Sequence, residues 1–134
     1  MSYVRYFAES PVALKALGAA LKAIDPQLKV DGGDLMRGAD VLAEITIDSA
    51  GSDMFNEELN MRIEALSQVP GEGAQYAISR LRGAQSIVAI SFDMSAGWEP
   101  LRPLWTVLPT ISTGLTQVDG QGYYDGANLV VGIV

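Results

Sequence analysis

The chain contains no cysteine and no histidine. Together these absences remove much of the side-chain chemistry that enzymes use near neutral pH. Ser-His-Asp and Cys-His relays cannot be assembled within this chain type. Zinc sites built on thiolate or imidazole are excluded as well, and so is the usual proton shuttle of the range from about pH 5 to 8. Asp, Glu, Lys, Arg, Tyr, Ser and Thr are left as chemical groups. No cofactor is expected from them. The missing cysteine also fits a reducing compartment.

Charge is scarce too, at 19% of residues against 49% hydrophobic. Such a chain has little polar material to cover its exterior, so apolar surface is expected to be exposed or used in an interface. Homodimerisation is the commonest such use. No apolar run approaches the roughly 18 residues that a membrane span requires. The opening "MSYVRYFAES" does not have the layout of a secretory leader, and the expected location is the cytoplasm.

Positive charge is scarcest, with 9 basic residues against 16 acidic and a net charge of −7. That balance repels phosphate backbones and argues against nucleic acid as a partner. Lys15, Lys22 and Lys29 stand apart, and Arg80 and Arg82 form the one close pair. An acidic field steers a basic protein towards the chain. Solubility is the competing explanation.

What is present reads as one α+β domain over residues 1–134, long enough to fold without disulfides or metals. "YVRYFAE" (3–9) reads as a strand. Ser10-Pro11 then looks like the cap and first position of a helix carrying Leu14, Leu17, Leu21 and Ile24, ended by Asp25-Pro26. "QLKV" is a short strand, and "DGGDLMRGAD" reads as a loop. "VLAEITID" (41–48) alternates, with Val41, Ala43, Ile45 and Ile47 facing one way. Ser52 or Asp53 caps a second helix with Phe55, Leu59, Ile63 and Leu66, and Ala74, Ala77, Ile78 and Leu81 mark a third.

"SIVAISF" (86–92) is the candidate central strand, covered on both faces. A fourth helix holds Leu101, Leu104, Trp105 and Leu108, with Pro100 and Pro103 confined to its first turn. "GLTQV" and "NLVVGIV" close the pattern. The element order matches a ferredoxin-like split β-α-β arrangement: an antiparallel sheet with helices mainly on one face, extended by a C-terminal helix and β-hairpin.

"DGQGYYDG" (119–126) admits three readings. Gly120, Gly122 and Gly126 suit the tight turns of a hairpin. Asp119 and Asp125 with Gln121 could hold a hard cation, although the alternating ligands and terminal Glu of an EF-hand are missing. Asp119, Gln121, Tyr123, Tyr124 and Asp125 could also form a partner-binding surface, with Trp98 as an interface anchor. A hydrophobic staple against its helix is the competing explanation for Trp98, and the spacing of Trp105 places it in the core. The cluster Asp31, Asp34 and Asp40 reads as a solvated turn. Glu57 and Glu58 are no catalytic pair by adjacency, because neighbouring helical positions diverge.

The stretch from Trp98 to Asp125, with "PLW" and "GLTQVDGQGYYD", resembles a group of small bacterial cytosolic proteins of uncharacterised function. "YFAESPVALKALGAALKAIDP" and "LAEITI" are similar to the same group. The resemblance implies a cytoplasmic domain and brings no activity, cofactor or catalytic residue with it. Three functions remain in view. One is a non-enzymatic protein-binding module of inhibitor or immunity type, with a basic partner. The others are a self-associating structural domain and a carboxylate-dependent hydrolase or cation-binding protein.

Overall fold

The first strand, β1 (Ser2–Ala8), is apolar on both sides, and that dictates much of what surrounds it. Val4, Tyr6 and Ala8 point into one core, while Phe7 points into a second. In β5 (Ser86–Phe92), Val88, Ile90 and Phe92 join the first core and Ile87 joins the second. Strands with two apolar faces need cover on both.

The computed structural model describes residues 1–132 and supplies that cover from opposite sides. Helices α1 (Leu14–Ile24) and α4 (Arg102–Ile111) pack on the face of Val4, Tyr6 and Ala8. On the face of Phe7 lie α2 (Asp53–Ser67) and α3 (Glu72–Arg82). The expectation of helices mainly on one face is therefore corrected. A central strand buried on both sides already required this arrangement.

The sheet has eight strands in the order β2-β3-β4-β5-β1-β6-β7-β8. Every neighbouring pair is antiparallel. The remaining strands are β2 (Leu28–Asp31), β3 (Asp34–Arg37), β4 (Asp40–Ser49), β6 (Gly114–Val118), β7 (Gly122–Asp125) and β8 (Asn128–Gly132). In β4 the expected alternation holds at Ala43 and Ile45, which are buried, whereas Val41 is exposed. Among the described residues, no helix is long and apolar enough to cross a membrane.

Several local expectations change. The segment "DGGDLMRGAD" is not a loop: it forms the β2–β3 hairpin, turning at Gly32-Gly33 between the paired Asp31 and Asp34, with Asp40 opening β4. Leu35 inside it is buried. Helix α1 begins at Leu14, four positions after Ser10, with Ala13 as an uncapped N-cap. The reason is that the preceding segment is tied to the sheet. The Ser10 N–H donates to Ser112 Oγ at 3.0 Å and the Val12 N–H to Ser86 Oγ at 2.9 Å.

Ser52 caps α2 as expected, accepting from the Phe55 N–H. Pro100 falls in a 3-10 turn, Glu99–Leu101, and Pro103 at the start of α4. Pro109 sits inside α4, where the missing N–H breaks the bond to the Trp105 carbonyl. The expected strand "NLVVGIV" is described as far as Gly132, and its last two residues lie outside the described chain.

Candidate functional site

Beyond β1, the sheet continues through β6 and β7, and α4 covers only part of it. An open cleft of about 870 Å³ remains between α4 and these strands. Its position follows from strand alternation. Val4 and Tyr6 of β1 pair with Val118 and Thr116 of β6, and Thr116 pairs with Tyr124 of β7. All of these residues line the cleft. Their neighbours Arg5, Gln117 and Tyr123 occupy the next rung and face the other way.

The wall opposite the strands is aromatic and aliphatic. Trp98 packs on Phe92 with ring centroids 5.2 Å apart, and Trp105 meets Trp98 edge-on at 6.1 Å. Leu108 and Pro109 continue this wall along α4. Pro109 thus places a rigid apolar ring in the cleft at the cost of one helical hydrogen bond. The floor is fixed by Tyr6, whose hydroxyl donates to the Ser112 carbonyl at 2.6 Å. Burial pushes the Tyr6 phenol up to about 12. Gly114 lies directly against this ring: a Cβ there would come within 2.8 Å of the ring and 2.6 Å of the Phe7 carbonyl.

One end of the cleft is ionic. Arg80 reaches from α3, placing Nη1 3.0 Å from Asp125 Oδ2 and Nη2 2.8 Å from Glu9 Oε1. The Tyr76 hydroxyl accepts from Arg80 at 2.6 Å and donates to Asp125 at 2.5 Å. Burial opposes the Arg80 charge, but the bonds to Glu9 and Tyr76 outweigh it and raise the pKa above its ordinary value. Every partner in this group is satisfied by another.

A second network lies on the opposite face. Arg5 contacts Glu58 at 2.6 Å and Asp119 at 2.8 Å, while Arg62 reaches Glu58 at 3.1 Å. Buried Gln117 accepts from Arg5 and donates to Asp119, both at 2.9 Å. Burial works against the Asp119 carboxylate, yet the Gln117 hydrogen bond and the Arg5 charge hold its pKa below the ordinary value. A smaller hollow of about 340 Å³ opens beside this network, lined by Arg5, Asp48, Glu57, Glu58 and the exposed Met54 and Met61.

Comparison with protein-family models, with curated proteins and with solved structures finds no match.

The residues singled out from the sequence therefore divide. Trp98, Gln121, Tyr124 and Asp125 line the cleft. Asp119 belongs to the Arg5 network, and Tyr123 is fully buried in the second core. Tyr123 cannot meet a partner at the surface, because its rung of the ladder faces α2 and α3. Its hydroxyl is buried without a hydrogen-bond partner among the described residues, and burial raises its pKa to about 12.

Asp119 and Asp125 bind different arginines and do not converge. Among the described residues, no group of three or more acidic side chains is placed to hold a metal. "DGQGYYDG" is built as two turns with the strand β7 between them. Gln121 N–H bonds the Val118 carbonyl in the first, and Gly126 turns the second with φ +61°. Nothing in the sequence spacing marks Tyr6, Arg80 or Pro109 as neighbours of Trp98. Trp105, assigned to the core by its helical spacing, packs against the core and also lines the cleft.

Proposed function

We propose that this chain is a non-enzymatic binding domain whose partner, a basic protein, places a side chain in the cleft. The observation that carries this reading is the cleft itself. Its volume lies within the roughly 300–1,000 Å³ typical of ligand sites, and its wall is formed by Trp98, Trp105, Leu108 and Pro109. The polar groups at its end are already matched to one another, which suits holding a ligand better than transforming one. The net charge of −7 supports a basic partner through long-range attraction.

We also read the central strands, in the order β6-β1-β5-β4, as a ferredoxin-like core. In this reading β2–β3 and β7–β8 are additions, and the α2–α3 pair replaces a hairpin. The cleft then lies where the C-terminal addition meets the core.

A neutral apolar dye tests the reading. Trp98 and Trp105 are the two tryptophans of the chain, and both line the cleft. Nile red should bind saturably with one site per chain and take up energy from tryptophan fluorescence. Filling the cleft by Thr116→Trp should abolish that binding in a protein that still folds. Absence of saturable binding to the folded wild-type chain contradicts the reading.

Self-association is a second reading, favoured by one observation. Strand β8 ends the sheet, and its Leu129 is 54% exposed. Unpaired edges with apolar side chains invite pairing with another strand. Light scattering that reports a monomer at millimolar concentration would remove it.

A further inference from the structure

We infer that the group entering the cleft is cationic: an arginine or lysine side chain of a basic polypeptide, seated against the aromatic wall. This rests on the binding reading above and specifies its ligand. Four aromatic residues, Tyr6, Trp98, Trp105 and Tyr124, line one cleft. Ring faces carry a negative quadrupole and attract a guanidinium or ammonium group within about 6 Å of the centroid, tryptophan most strongly. The chain already makes this kind of contact twice. Arg5 lies 5.3 Å from the Tyr3 ring centroid and Arg80 lies 5.6 Å from that of Tyr76.

Charge at the cleft points the same way. Arg80 is the cation among the described lining residues, and it is held by two carboxylates, Glu9 and Asp125. That end of the cleft therefore carries one net negative charge. An incoming carboxylate would have to compete with Glu9 and Asp125 for a guanidinium they already occupy. An incoming cation meets that surplus negative charge and the rings, while Glu9 and Asp125 keep their bonds to Arg80.

A polypeptide fits better than a free small cation because the cleft is open and carries polar groups beside its aromatic wall. Thr113, Thr116 and Gln121 stand along its strand side, where they can bond a peptide backbone. The Tyr124 hydroxyl donates to Gln121 Oε1 at 2.8 Å, which leaves the Gln121 amide N–H groups to donate.

The test compares three five-residue peptides that alternate leucine with arginine, citrulline or glutamate, titrated into the full chain at low salt and followed by tryptophan fluorescence. Citrulline keeps the shape of arginine and removes its charge. The arginine peptide should bind saturably, with citrulline weakening it at least tenfold and glutamate abolishing it. Trp105→Leu, which retains apolar volume but removes a ring face, should weaken the arginine peptide at least fivefold more than it weakens Nile red. Trp98→Leu provides the same measurement if the first variant fails to fold. Equal binding of the arginine and citrulline peptides overturns the cationic ligand and leaves the cleft reading intact. Tighter binding of the glutamate peptide overturns it in favour of an anion drawn to Arg80. If no peptide binds while Nile red does, the polypeptide ligand falls. If Nile red fails as well, the cleft reading falls with it.

Discussion

Two buried tyrosines show how position in the ladder decides what a hydroxyl is worth. The Tyr6 hydroxyl satisfies the Ser112 carbonyl, whereas that of Tyr123 has no partner among the described residues. Removing one member of a buried bond leaves the other unsatisfied, at about 1–3 kcal/mol. Tyr6→Phe should therefore destabilise the protein by about 1–2 kcal/mol in urea unfolding. Tyr123→Phe removes a desolvated group that bonds nothing, so it should be neutral or stabilise by up to about 1 kcal/mol. Both phenols are raised to about 12 by burial. Unfolding returns them to about 10, so folding stability is unaffected by either phenol below pH 10 and falls as the pH rises towards 12.

Asp119 behaves in the opposite sense. Its folded pKa is lowered, so its contribution is present at neutral pH and is lost as the pH falls through the carboxylate range below about 4. Its side chain is substantially solvent-exposed, which limits the effect to about 1 kcal/mol. Asp119→Asn should cost that much at pH 7, and the difference should shrink as the pH falls below about 4.

At the scale of elements, strong periodicity was enough to place α2, α3 and β5, because their apolar spacing is dictated by the cores they fill. The strand β3 was not legible. "DLMR" is short, is bounded by charges and has only Leu35 fully buried, so pairing with β2 and β4 creates it rather than local preference. The start of α1 was equally hidden, since it depends on Ser86 and Ser112, far away in the chain. The cleft residues were legible where they share a local motif, as Gln121, Tyr124 and Asp125 do, and at Trp98, a large aromatic placed just before a helix. Tyr6 and Trp105 join them through the β1–β6 pairing and the packing of α4, which no spacing reveals.

Close approach of backbones gives a sharper test at this scale. A Cβ on Gly73 would collide with the Val130 carbonyl, where α3 rests on β8. Gly73→Ala should therefore push α3 from the sheet and destabilise by about 3 kcal/mol, as overpacking does. Gly32 turns in open space with φ +61°, so Gly32→Ala carries only the conformational penalty, about 1 kcal/mol. Thermal unfolding of the two variants side by side should show that order.

For the whole molecule, a surplus of seven negative charges acts at long range on any basic partner. The Debye length shortens from about 10 Å at 0.1 M salt to about 3 Å at 1 M. Binding of the arginine peptide should therefore weaken roughly tenfold or more across that range, mostly in its association rate. Nile red, which is neutral, should be unaffected.

The two hollows lie on opposite faces of the sheet, so the location of binding can be read residue by residue. The most direct measurement is a nitrogen–proton correlation spectrum of the labelled protein during titration with the arginine peptide. The indole N–H signals of Trp98 and Trp105 should move, together with the amides of β6 and β7. Shifts confined to α2 and β4, around Met54, Met61 and Glu57, would place binding in the smaller hollow and contradict the account.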